Sequence, residues 1–95
     1  MELAFTGRVI EWRGPSPYYF VAVPEPEAAG IREVAAMATY GWGVVPVRAR
    51  IGGTAFATSL FPRDGGYLLP LKKAVRASQG LSEGDDVRVE MAVRL

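Results

Sequence analysis

Apolar and polar residues alternate most cleanly in the middle and at the end of the chain. In "VVPVRARI", Val45, Val47, Ala49 and Ile51 share one side, while Pro46, Arg48 and Arg50 share the other. In "DVRVEMAVRL", Val87, Val89, Met91 and Val93 alternate with Arg88, Glu90, Ala92 and Arg94. A period of two is the mark of a strand with one buried face. "TAFATSLF" repeats the pattern with Phe56, Thr58 and Leu60 on one side. It is joined to the preceding strand by Gly52-Gly53, a hairpin signal because both positions can take positive φ.

The rest of the chain is read in the same way. Leu3 to Trp12 is rich in β-formers and predicts a first strand. "RGPSP" breaks it, and "YYFVAV", almost wholly apolar, predicts a short strand buried on both faces. "PEPE" suits a helix start, since proline lacks the donor that the first turn leaves unpaired and acids favour the positive dipole end. Ile31, Val34, Ala35 and Ala38 then fall on one helical face, which Gly41 and Gly43 terminate. "PRDGG" predicts a second turn and "YLL" a short strand. Pro70 is placed at the first position of a helix through Leu71, Ala74, Val75 and Ser78. Gly80 fits its C-terminal cap, with Leu81 packing back on Val75.

Six strands and two short helices make a mainly β protein. So many strands in so short a chain must close or be covered, because open edges invite aggregation. The expected fold is a small closed or nearly closed β-barrel, a single domain over 1–95, with helices plugging its ends. The alternative is an open α+β sheet with both helices on one face.

Composition narrows the chemistry. With no cysteine there are no disulfides or thiolate metal sites, and with no histidine there is no Ser-His-Asp triad and no common zinc set. No metal or cofactor is expected, and the protein is read as leaning away from catalysis. Eleven Lys+Arg against ten Asp+Glu give a net charge of +1, a weak case for nucleic acid or an anionic membrane. The N-terminal segment "MELAFTGRVIEW" lacks a secretory pattern, and no apolar run is long enough to span a bilayer. A soluble, cytoplasmic protein is expected.

Residues 40–76, "YGWGVVPVRARIGGTAFATSLFPRDGGYLLPLKKAVR", closely resemble the domain of unknown function 1905 family. "FTGRVIEWRGPSPYYFVAVP" at 5–24 is similar to that family's opening and "GLSEGDDVRVEM" at 80–91 to its closing segment. The resemblance implies a small β-barrel of bacterial or archaeal origin without an established activity. In some relatives such a domain precedes a C-terminal domain for bacteriocin protection. A shorter likeness, "LLPLKKAVRASQGLSEGDDVRVEM", is similar to the strand-helix-turn-strand element of swapped-hairpin transcription regulators. It implies that Gly84 supplies positive φ and that Asp85 accepts turn amides.

Two candidate sites follow from the residues. "PRDGGY" lacks the spacing of a phosphate loop, and Asp64 would repel an anion, so it reads as a hairpin. A barrel mouth built from "YGWG", "LFPRDGGY" and "PLKKAVR" gathers aromatics and cations in turns, where small ligands bind. Its candidate ligand-binding residues are Trp42, Arg63, Tyr67, Lys72 and Arg76. The expected function is therefore a non-enzymatic domain that binds a small ligand or protein partner, with a homodimer also open. The alternative is a nucleic-acid-associated module using outward Arg48, Arg50, Arg88 and Arg94, a ribbon that Glu90 would interrupt.

Overall fold

The computed structural model describes residues 1–13, 18–37 and 43–94. In chain order it contains β1 (Glu2–Trp12), β2 (Tyr18–Ala22), α1 (Glu25–Met37), β3 (Val45–Ile51), β4 (Thr54–Arg63), β5 (Gly66–Pro70), α2 (Lys73–Gln79) and β6 (Asp86–Val93). The strands close into an antiparallel barrel in the order β1-β2-β5-β4-β3-β6. The closed alternative is therefore the one adopted, and the open α+β sheet is not.

The alternating pattern sets the core. Val45, Val47, Ala49 and Ile51 of β3 point inward with Val87, Val89, Met91 and Val93 of β6, and all are buried. Phe5 and Val9 of β1, Val21 of β2, Leu60 of β4 and Tyr67 and Leu69 of β5 complete the same cluster. Closure relies on two strands that change partners. β1 pairs with β6 over Glu2–Arg8 and with β2 over Val9–Trp12. β4 pairs with β3 up to Leu60 and with β5 from Phe61 onward.

The two helices cover opposite ends of β4. Ser78 and Gln79 of α2 both hydrogen-bond Thr54, at the β3–β4 hairpin. Arg32 of α1 donates to the carbonyl of Gly65, in the β4–β5 turn, at 2.6 Å. Ala28 and Ile31 are the fully buried residues of α1, and Val34 and Ala35 are half-buried beside them. Ala38, Gly41 and Trp42 lie outside the described residues.

The turns follow the expected chemistry, with two refinements. Asp64 and Gly65 both have positive φ (51° and 80°), as a two-residue type I′ hairpin requires, so β4 runs on through Pro62 and Arg63. In the Gly52-Gly53 turn only Gly52 takes positive φ, at 58°. Gly84 has φ 92°, and the Asp85 carboxylate accepts the Ser82 amide at 2.8 Å. Gly80 caps α2 in the left-handed region, and the Leu81 amide reaches back to the Arg76 carbonyl.

Pro70 departs from its expected place. It ends β5, paired with Phe20, and α2 begins only at Lys73 with Lys72 as its N-cap. The Leu71 amide still donates to the Tyr19 carbonyl at 2.8 Å, and its side chain is buried in the core. Sheet pairing and core burial hold these residues extended past the point where proline would permit a helix.

Gly7 is a constraint of closure. A Cβ there would sit 2.5 Å from Val21 Cγ1 and 3.1 Å from the Ala22 carbonyl oxygen, beside the start of the β1–β2 pairing. Gly7→Ala is expected to destabilise the fold by about 1–3 kcal/mol through overpacking. Gly53, with open space at its Cβ position and no positive φ, is the control, and Gly53→Ala is expected to be neutral or slightly stabilising. Urea unfolding of the two variants checks the contrast; equal midpoints would show that Gly7 does not limit closure.

Candidate functional site

Cross-strand partners share a face. Val9, Val21 and Leu69 form one inward row across β1, β2 and β5. The residues one step along point outward. Ile10 pairs with Phe20 and Phe20 with Pro70, while Ala22 pairs with Leu68 and Leu68 with Phe61. The outer face of this half of the barrel is therefore apolar. Phe20 and Leu68 are only 9% and 7% exposed although they do not belong to the core cluster. Two other outer-face rings pack on Phe20. The Trp12 ring meets Phe20 edge-on at 6.2 Å, and Tyr18 lies 6.4 Å from Phe20.

Across this face the last residue of β1 meets the last residue of β4. The Arg63 guanidinium carbon lies 3.8 Å from the Trp12 ring centroid, and Arg63 Nε donates to Asp64 at 3.4 Å. Ile10, Trp12, Ala22, Leu68, Arg63 and Tyr67 line a groove of about 520 Å³ with Arg13, Glu25 and Asp64 at its rim. That volume falls within the range of roughly 300–1,000 Å³ usual for small-molecule sites. An exposed cation–π contact is worth only about 0.5–1 kcal/mol. The Arg63–Trp12 contact is thus weak enough for a bound molecule to open.

The carboxylates around the groove already have partners. Glu11 accepts the Tyr19 hydroxyl at 2.8 Å, and Arg13 lies 3.6 Å from it. Arg32 holds Glu25 through a 2.5 Å hydrogen bond, which together with the guanidinium charge keeps the Glu25 carboxyl below its ordinary value. The Tyr19 phenol is raised above its ordinary value, first by its hydrogen bond to Glu11 and then by burial, while Arg76 opposes the rise.

The five candidate residues separate. Arg63 and Tyr67 line the groove, although Tyr67 is otherwise a core residue. Lys72 and Arg76 belong to the α2 end. There the Arg76 guanidinium stacks 4.0 Å from the Tyr19 ring centroid and donates to the Leu71 carbonyl, and Lys72 is exposed. Trp42 lies outside the described residues. The hairpin and the helix of the expected mouth are held apart because they occupy opposite ends of the barrel. Ile10, Ala22 and Leu68 were not candidates. The readable signal was "YYFVAV", whose apolar residues on both faces require cover outside the barrel as well as inside.

The outward arginines do come from adjacent strands, but they form no continuous track. Arg50 stands opposite Glu90 and Arg48 opposite Ala92, and Asp86 lies 3.6 Å from Arg8. Charge alternates in sign along the outer face of β6. Among the described residues, no group of acids is arranged to hold a metal ion, and no helix is long and apolar enough to cross a membrane.

A closed six-stranded barrel with a helix at each end and an apolar groove on its outer face is a small β-barrel domain. The family model for the domain of unknown function DUF1905 matches residues 5–91, and the chain belongs to that family. No curated protein matches the chain.

The Glu25–Arg32 pair generates a pH prediction. A carboxylate held below its unfolded value of about 4.3 stabilises the fold above that pH, and the contribution is lost as pH falls through the folded value. A carbon-13 carboxyl titration should find Glu25 with a low midpoint, moving up to the ordinary range in Arg32→Ala. An unmoved midpoint would show that Arg32 does not hold it.

Proposed function

We propose that this domain is a non-enzymatic binding module whose ligand lies in the outer-face groove beside Trp12 and Arg63. The single observation that carries the reading is the burial of Phe20 and Leu68 on the side of the sheet facing away from the core. Strand residues on an outer face are ordinarily polar, since one face of an antiparallel sheet meets water. Here that face is apolar, concave and roofed by a weak, separable contact. A concave apolar surface with a few converging polar groups is the usual form of a ligand site.

The surrounding carboxylates favour binding over turnover. A general acid needs its proton held near neutral pH, whereas Arg32 pushes Glu25 in the opposite direction. Of the residues proposed from the sequence, Arg63 and Tyr67 belong to this site. Alternation of charge along β6 gives the nucleic-acid alternative no comparable support.

A fragment library screened by amide chemical-shift mapping tests the reading. Binding fragments should shift the amides of Ile10, Trp12, Ala22, Arg63 and Leu68 as one group. Trp12→Ala should weaken these fragments at least about tenfold while keeping a dispersed spectrum. Fragments that cluster at the α2 end instead, or bind Trp12→Ala unchanged, would overturn it.

A further inference from the structure

We infer that the groove takes a planar aromatic anion, its ring stacked on Trp12 and its acidic group held by Arg63; this rests on the groove being the binding site. Trp12 already holds one flat group against its face, the Arg63 guanidinium at 3.8 Å. An aromatic ring has the same thickness, so it can enter between the two planes or take the guanidinium's place without rearranging the sheet. Ile10, Ala22 and Leu68 provide the apolar surface beside it.

The sign of the ligand's charge follows from which groups are already engaged. Glu11 is bonded by Tyr19 and Glu25 by Arg32, and Asp64, the third carboxylate lining the groove, faces Arg63 Nε, which a bound anion must share with it or take from it. Arg63 is the converse case. Its one hydrogen bond among the described residues is the long Nε contact to Asp64 at 3.4 Å, so the Nη donors have no partner among those residues. A guanidinium is planar, permanently charged and shaped to grip a carboxylate with two parallel bonds. Arg13, also lining the groove, lies 3.6 Å from Glu11 and offsets that carboxylate.

The test uses three probes that share one ring: indole-3-acetate, indole and tryptamine, which are anionic, neutral and cationic at pH 7. Each is titrated into the intact domain with the Trp12 indole N–H and Arg63 Nε–H proton signals as readouts. Indole-3-acetate is expected to bind about tenfold or more tightly than indole, with tryptamine weakest, and to move both signals. Arg63→Ala should reduce the acid to the affinity of indole. Arg63→Lys, which keeps the charge and loses the plane, should recover only part of the difference. Trp12→Ala should abolish binding of all three, and Trp12→Phe, which preserves a ring for packing on Phe20, should retain a weakened preference for the acid. Tryptamine binding as tightly as the acid, or an Arg63→Ala domain that still prefers the acid, would overturn the inference while leaving the groove as the site. Failure of all three probes to shift these signals would also overturn it. If library fragments of other chemistry still mapped to Ile10, Ala22 and Leu68, the groove reading would stand alone; if none did, both would fall.

Discussion

β1 hydrogen-bonds to β6 along its first part and to β2 along its second, and β4 makes the same switch between β3 and β5. These two strands are the seams at which one part of the barrel is joined to the other. Closure at the seams requires β2 to pass close against β1, and Gly7, with no side chain, leaves Val21 the room. A single barrel core follows, in which valines from β3 and β6 face Val9, Val21 and Leu69 from the other side. No described polar side chain is buried, so the interior is held by apolar packing and by the paired backbone.

The seams also explain the outer groove. Because β1 and β4 run beyond their first partners, their last residues, Trp12 and Arg63, reach across β2 and β5 from either side. The face between them carries Phe20 and Leu68, both buried outside the core cluster, with the rings of Trp12 and Tyr18 against Phe20. A barrel this small has an interior filled by its own side chains. The space open to another molecule is therefore on its outer surface.

Much of this was legible in the sequence. The inward sets of β3 and β6, the Asp64-Gly65 turn, the Gly80 cap and the Gly84-Asp85 turn each depend on residues close together in the chain, where periodicity and φ preference act directly. Pro70 was misplaced because its setting depends on Phe20 and Tyr19, partners some fifty residues away that no local rule supplies. Lys72 and Arg76 looked like neighbours of Arg63 for the same reason. They are close in sequence, but β5 runs between them and the hairpin, carrying them to the other end of the barrel.

The amino-acid sequence by itself determined the order of the strands and helices, the apolar face of β3 and β6, and the hairpin turns, though not where β4 and β5 end. It also determined that histidine and cysteine chemistry is absent. The tertiary structure decided which outward residues meet. Side chains alternate with a period of two, so the site across Ile10, Phe20, Leu68 and Phe61 depends on the register of several pairings, and a shift of one residue in any of them would send a row to the opposite face. Register is fixed by closure and core packing together, and so the stacking of Arg63 on Trp12 is a property of the closed barrel rather than of either segment.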